Sequence, residues 1–396
     1  MNSIFSQTVN SSAAATSDWI FCGAFLVIIA AAVLYSRYIS QGDRRWLALT
    51  VLAGVLSIAG MAVSEGWTRV ILIDAAAFTG VALVWFQESP KAKSAARNYL
   101  IMMVLSITFL AVGTYLAGEE GSAPAYPLDK LAVAFLITGF SLKLALLPFY
   151  FWLPDVVEKS KVMTSVTIIS VIDIAAVAEL IHLRESSPWV FTGYTAIWLT
   201  IALLSMFGGA LLALAQKNIK RMLAFSTIDD MGYIVLGTLA GTAFGISGAI
   251  LGALSHAFFK LILFGAVGVA EKGLGHDLTL KDRGLASRYP VSAALFIFGT
   301  LGMIGVPPLF GFIGRWRLYL AGVELGGLPL VLTMSAATGL ALLYYVRAIH
   351  RVWLGKLEQE NISSREPAAP VTVLMVVLLI MLAIGLFPAW LTGLIG

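Results

Sequence analysis

The segment Val373–Ile384 has the sequence VLMVVLLIMLAI and is apolar at every position. Phe25–Val33, with the sequence FLVIIAAAV, is apolar throughout in the same way. A helix without a polar face belongs in lipid or in a deep core, because its surface cannot be wetted. Membrane β-barrels, the other structures that span a bilayer, alternate apolar and polar residues along each strand. These segments do not alternate, so they predict an all-α, polytopic membrane protein.

The composition of the whole chain agrees with a membrane location. Hydrophobic residues make up 59% of the 396 residues and charged residues only 12%. Soluble chains carry roughly 25% charged residues, and their surfaces must be wettable. A water-soluble enzyme, a disordered chain and a nucleic-acid-binding module are therefore excluded. One cysteine and four histidines leave no basis for a disulfide framework or an iron–sulfur cluster. We expect no cofactor or metal in this chain.

About twelve segments approach the roughly 20 apolar residues that a spanning helix needs. They lie near 19–39, 46–63, 69–87, 97–117, 130–152, 163–183, 190–215, 219–241, 245–270, 291–323, 327–352 and 370–394. The longest polar stretches between them, 271–289 and 353–369, are too short to form an independent core. The sequence thus predicts a chain that is not itself an enzyme, with any catalysis in a partner subunit.

Lysine and arginine concentrate in every second loop, beginning with the loop after the first span. These basic loops lie near 37–45, 88–97, 159–161, 216–221, 271–289 and 347–365. Basic loops stay in the cytoplasm of bacterial inner membranes. We therefore expect a multi-pass protein of the bacterial cytoplasmic membrane, surrounded by lipid, with both termini outside.

Two spans contain prolines that should break the helix. Pro148 and Pro154 lie in the fifth span, and Pro307 and Pro308 in the tenth. Broken helices at membrane depth are tolerated where protein or water satisfies the freed backbone groups. Their separation by five spans predicts two inverted repeats, as in many ion-coupled transporters. The expected organisation is a tail and first helix over 1–45, repeats over 46–183 and 190–352, and a last helix over 370–396.

Ionisable residues inside the spans are candidate proton carriers, because burying charge in lipid is costly. They are Asp74, Lys143, Asp173, His256, Lys260 and Arg315. Pairing of Lys143 with Asp74 or Asp173 could switch proton affinity, since a nearby opposite charge favours the charged form of each group. Arg315 keeps its proton and can only be a fixed positive charge or an anion contact. Glu179, His182 and Arg184, nearer the end of the sixth span, are interpreted as interfacial residues.

Four segments together resemble a known family. They are SLKLALLPFYFWLPD at 141–155, NIKRMLAFSTIDDMGY at 218–233, SHAFFKLILF at 255–264 and GVPPLFGFIGR at 305–315. These resemble the antiporter-like proton-translocating subunits of respiratory complex I, membrane-bound hydrogenases and Mrp-type cation/proton antiporters. The resemblance extends over roughly 65–350.

The resemblance implies roles for individual residues. The family's acidic residue falls on or beside Asp74, here an Asp in place of the usual Glu, and its lysine before the first break falls on Lys143. Its central histidine and lysine fall on His256 and Lys260. Two positions depart from the family pattern: Asp173 stands where a basic residue is usual, and Arg315 stands where a lysine or glutamate is usual.

The departures and the twelve spans, in place of the family's usual fourteen, make the chain most similar to the short membrane subunits of DabA/DabB-type complexes. In those complexes a cytoplasmic, carbonic-anhydrase-like zinc subunit hydrates CO2. This resemblance implies accumulation of dissolved inorganic carbon with such a partner. The alternative is a subunit of a complex I-like, hydrogenase or Mrp complex, and Na+ is the alternative to H+. A membrane enzyme acting on a lipid or quinone, or a non-conducting scaffold, fits the buried charges and broken helices less well.

Overall fold

The computed structural model describes residues 2–39, 43–63, 67–87, 89–118, 123–356 and 366–395. Helices account for nearly all of them, and no strand occurs within these ranges. The helices are α1 (Asn2–Ile39), α2 (Arg44–Ala62), α3 (Trp67–Trp85), α4 (Pro90–Ala117), α5 (Leu128–Lys143), α6 (Trp152–Lys159), α7 (Val162–Thr167), α8 (Asp173–Ser186), α9 (Trp189–Thr192), α10 (Thr195–Ala215), α11 (Ile219–Ala240), α12 (Ala243–Leu274), α13 (Pro290–Ile304), α14 (Gly311–Ala348), α15 (Ala368–Leu386) and α16 (Ala389–Ile395). A π-helical turn over Ile168–Ile172 joins α7 to α8, and another over Ile349–Trp353 extends α14.

The helices fit the expected all-α membrane fold with about twelve crossings. In the described ranges, ten helices are long and apolar enough to cross a membrane. Two shorter helices, α5 and α13, are the first halves of the two broken spans. The α14 helix bends at Gly326 and Gly327, where the predicted tenth and eleventh spans meet. Gly327 has φ of +63°, which glycine adopts without a Cβ clash.

The least apolar span, α11, lies at the centre of the molecule together with α12. The apolar window of α11 is entirely buried and that of α12 is 94% buried, although α11 has the lowest hydropathy of the ten spans. The most apolar span, α15, is at the rim, with 33% of its window buried. This arrangement follows from the solvent, because lipid accepts apolar side chains and polar groups must find protein partners.

The first break separates α5 from α6. Its freed backbone groups find partners: the Trp152 indole donates to the Leu142 carbonyl at 3.0 Å, and the Leu147 amide donates to Ser205 Oγ at 3.1 Å. Pro148 lies in the break as expected. Pro154 does not, because it is the third residue of α6, where the missing N–H has no intrahelical partner to lose.

The second break, between α13 and α14, contains Pro307 and Pro308. Gly311 begins α14 against the carbonyl of Gly302, and an added Cβ would lie 1.8 Å from that oxygen, so only glycine fits. One break thus lies in each half of the chain. The inverted relation between 46–183 and 190–352 stays a prediction.

Candidate functional site

Lys143, the last residue of α5, is the centre of a buried ion cluster that we call the front cluster. Its Nζ lies 2.6 Å from Asp74 Oδ1 on α3 and 2.7 Å from Glu179 Oε2 on α8. All three residues are buried, Lys143 to 97%. The helix ends at Lys143 because the break follows, so the ammonium group projects into the space between three helices. The expected pairing of Lys143 with Asp74 is formed.

Glu179 was interpreted from the sequence as an interfacial residue, and this was wrong. It is buried, although α8 continues for seven residues beyond it to Ser186. That length places Glu179 about 10 Å below the end of its helix. A prediction that the helix ends at Ser186 would have indicated from the sequence that Glu179 is buried. Two carboxylates, those of Asp74 and Glu179, therefore pair with Lys143 at the same time. The sequence had led us to expect pairing with either Asp74 or Asp173.

Asp173 is buried within electrostatic range of Lys143 but is not paired with it. Its side chain is 4% exposed, and the described part of the chain gives it no ion pair. It follows directly on the buried π-helical turn Ile168–Ile172, a distortion often found at functional sites. Lys143 thus contacts Asp74 and Glu179 while Asp173 remains available as an uncommitted acid on the same helix as Glu179.

Lys260 occupies the middle of α12 and binds neutral partners. Its Nζ donates to the Leu223 carbonyl at 2.7 Å and to Ser226 Oγ at 2.5 Å, both on α11. The side chain is fully buried. Its neighbour one turn away, His256, is also buried, and neither ring nitrogen makes a hydrogen bond within the described residues.

Arg315 is fixed beside His256 in what we call the rear cluster, formed by Asp230, His256, Lys260 and Arg315. Arg315 Nη2 lies 2.8 Å from Asp230 Oδ1 and 2.9 Å from the Met303 carbonyl. The guanidinium also stacks 3.9 Å from the centre of the Tyr233 ring. His256 Nδ1 lies 3.3 Å from Asp230 Oδ2, at an angle that makes no hydrogen bond.

The sequence analysis assigned no role to Asp229 and Asp230, although both lie in the span 219–241. Asp230 is the anion that holds Arg315. Asp229 accepts a hydrogen bond from the Tyr344 hydroxyl at 3.1 Å, and its other oxygen has no hydrogen bond in the described structure. Two adjacent carboxylates inside an apolar span were the available signal, because such charges need buried partners.

A large cavity opens at the end of the molecule that we expect to face the cytoplasm. It has a volume of about 900 Å³ and is lined by parts of α1, α2, α4, α6, α7, α11 and α12, including Tyr35, Trp46 and Lys220, and by the loop residue Lys161. Lys220 pairs with Asp277 at 2.7 Å and with Glu271 at 3.5 Å. Within the described ranges, no group of three or more His, Cys, Asp or Glu side chains is arranged to hold a metal ion.

Residues 70–341 match the family model described as NADH:quinone oxidoreductase/Mrp antiporter, TM. The chain belongs to this family. Among curated relatives, subunit N of NADH-quinone oxidoreductase from Geotalea uraniireducens is 29% identical, over 76% of this chain and 67% of its own. Subunit N from Nitrosomonas europaea is 29% identical, over 93% of this chain and 81% of its own.

Solved structures share the fold of this family member. A chain of the archaeal membrane-bound sulfane sulfur reductase superposes with a TM-score of 0.81 at 23% identity, covering 95% of this chain and 80% of that chain. A chain of Thermus thermophilus respiratory complex I gives 0.77 at 24% identity, covering 96% and 86%. A chain of the Mrp complex from Dietzia gives 0.72 at 19% identity, covering 98% and 93%.

Proposed function

We propose that this chain is a proton-translocating membrane subunit that couples the proton gradient to a partner subunit. The observation that carries the proposal is the front cluster, in which one buried ammonium group lies between two carboxylates. Lys143 can give its proton to either carboxylate, which leaves a neutral amine and a neutral carboxylic acid beside the second, still charged carboxylate. Movement of α3 or α8 away from α5 would change which group keeps the proton. A cycle of this kind can move protons only if the two arrangements differ in proton affinity.

The partner subunit would carry out the chemistry, since the described part of the chain has no loop large enough for a catalytic domain. Energy would pass through the short basic loops on the predicted cytoplasmic side. The similar solved structures are chains of membrane complexes, which supports a partner for this chain. The two curated relatives described above are subunits of NADH-quinone oxidoreductase.

We propose that the partner is a zinc-dependent, carbonic-anhydrase-like protein. The function of the complex would then be the accumulation of dissolved inorganic carbon. The rear cluster supports this choice over a redox pump, because Arg315 cannot exchange a proton and is held by Asp230 and Tyr233. A proton wire through both halves would therefore stop at Arg315. Asp173, an acid where the family usually has a base, is the second departure from the family pattern.

The second candidate, a subunit of a complex I-like, hydrogenase or Mrp complex, is favoured by the named relatives.

The test is purification of the tagged chain from its native host with whatever binds to it. A copurifying zinc protein that hydrates CO2 would support the proposal. A quinone oxidoreductase or hydrogenase module would support the second candidate instead. Uptake of labelled inorganic carbon should fall when an uncoupler collapses the proton gradient, and it should be lost in Lys143→Ala. Uptake that is unchanged by the uncoupler and by Lys143→Ala would exclude the role in carbon accumulation.

The orientation is a separate proposal: both termini outside in a bacterial cytoplasmic membrane. Cys22, the single cysteine, is buried, so an introduced cysteine gives a clean label. Lys281→Cys lies at an exposed position in the 271–289 loop. A membrane-impermeant thiol reagent should label it only in opened cells. Labelling in intact cells would reverse the assignment of sides.

A further inference from the structure

The acid Glu179 begins a row of titratable side chains on α8. His182 follows one turn later and Glu185 one turn after that. Side chains three residues apart on a helix are neighbours, and the row covers about 9 Å along the axis. Burial falls steadily along it: Glu179 is buried, His182 is half-buried and Glu185 is exposed. The row therefore connects the front cluster to the surface at the end of α8, the predicted outer side.

A small cavity accompanies the outer part of this row. Its volume is about 10 Å³, and its lining includes Ser17, Asp18, His182 and Glu185. This is close to the room that one water molecule needs, and the polar lining supplies partners for it. The wall opposite α8 is formed by the start of the apolar part of α1.

Arg69 fixes this opposite wall. Its two terminal nitrogens donate to the two oxygens of Asp18 at 2.7 and 3.0 Å, and the Arg69 side chain is almost fully buried. Arg69 also lies within electrostatic range of Glu179 and Glu185. A fork-to-fork pair of this kind sets the position of a carboxylate closely. Asp18 is therefore held at the mouth of the row by α3, the helix that also carries Asp74.

We propose that Glu179, His182 and Glu185 form an outer proton path of the front cluster, with Asp18 and one water molecule at its mouth and Arg69 as a positioning residue. The proposal rests on the proposed function and deepens it by naming the route and the ion. In each step a proton moves from an ammonium, imidazolium or carboxylic acid to the next free base, so charge and atoms balance without a further reactant.

The groups on this route favour H+ over Na+. An imidazole relays a proton by accepting it on one nitrogen and releasing one from the other. Among the described residues, the acids and the histidine of this route are not arranged to hold a metal ion. At the inner end, the Lys143 ammonium group already occupies the space between the two carboxylates. A sodium ion would have to displace it.

The experiment uses the complex purified with its partners and reconstituted into liposomes. Proton flux driven by an imposed membrane potential is read with a pH dye inside. Glu185→Gln is the main variant, because Glu185 is exposed and its replacement leaves the packing intact. His182→Asn is the second. The matched controls are Asp129→Asn, an acid at the predicted outer end of α5, and His276→Asn, an exposed histidine in a loop on the other side.

We expect both path variants to reduce proton flux by about tenfold, equivalent to ~1.4 kcal/mol in the barrier, and both controls to keep the normal flux. Flux at the control level in Glu185→Gln and His182→Asn would overturn the outer path. If Lys143→Ala stops the flux in that case, the proposed function stands without this route. If Lys143→Ala also leaves the flux unchanged, the proposed function itself is wrong.

A second measurement tests the choice of ion, with Na+ flux read in the same liposomes. Flux of Na+ that equals the H+ flux and survives His182→Asn would overturn the choice of ion.

Discussion

The front and rear clusters use the same kinds of side chain in opposite ways. In the front cluster the lysine carries the ion pairs, since Lys143 binds two carboxylates directly. In the rear cluster the arginine carries the ion pair, and Lys260 binds a carbonyl and a hydroxyl instead. A lysine between two acids can exchange its proton, whereas an arginine bound to an acid only holds it in place. We therefore expect proton exchange at Lys143 and a fixed charge at Arg315, while the roles of His256 and Lys260 as proton carriers stay predictions.

The largest effect is expected from comparing Lys143→Ala with Lys260→Ala. Removing Lys143 leaves two buried carboxylates without their cation, which costs about 3–5 kcal/mol when a buried pair is broken. We expect complete loss of proton flux and a lower melting temperature. Removing Lys260 leaves only neutral acceptors, at a cost of about 1–3 kcal/mol. Flux assays and thermal unfolding of the purified complex measure both. Equal loss of stability in the two variants would contradict the difference between the clusters.

The second prediction concerns Arg315. Arg315→Ala removes the cation from Asp230 and should lower the free energy of unfolding by about 3 kcal/mol. Arg315→Lys keeps the charge and should lose only about 1 kcal/mol, through the second hydrogen bond to the Met303 carbonyl. Proton flux per folded complex should remain in both variants, because Arg315 keeps its proton and acts only as a fixed charge. Loss of flux in folded Arg315→Lys would show that the rear cluster belongs to the conducting path.

The third prediction concerns Asp173, which lies on α8 between the π-helical turn and Glu179. Asp173→Asn should leave assembly and melting temperature near normal, since the described residues form no ion pair with Asp173. We expect proton flux to fall by about tenfold if this acid feeds the front cluster, ~1.4 kcal/mol in the barrier. Normal flux in a normally folded variant would show that Asp173 takes no part in proton transfer.

The smallest effect is expected from Ser226→Ala. This change removes the Ser226 hydroxyl, which accepts a hydrogen bond from Lys260 and donates one to the Leu223 carbonyl, and it keeps the bond from Lys260 to that carbonyl. The free energy of unfolding should fall by about 1 kcal/mol more than in Thr227→Ala, the usual net value of the one additional hydrogen bond. Thr227→Ala is the matched control, because its hydroxyl bonds the same carbonyl and does not contact the lysine. A larger loss of unfolding free energy in Thr227→Ala would show that this turn is stabilised by contacts within α11 rather than by Lys260.

The prediction of an all-α membrane fold could be made from the sequence because lipid imposes a strict rule on each segment. A span must satisfy its backbone internally and be apolar over about 20 residues, and both properties can be read locally. The same rule marks Lys143 and Asp74 as unusual, because a charge in an apolar span is costly wherever its partner lies. Pro148, Pro307 and Pro308 mark the breaks in the same local way, through their missing N–H.

The partners of these charges were decided by the tertiary structure alone. Lys143 is 69 residues from Asp74 and 36 residues from Glu179, so their contact depends on how three helices pack. Asp230 and Arg315 are 85 residues apart, on different helices. Segment hydropathy has no information on which face of one helix meets which face of another. The sequence by itself therefore determined that this chain lies in a membrane and contains buried charges, and the packing of the helices determined which charge each lysine and arginine neutralises.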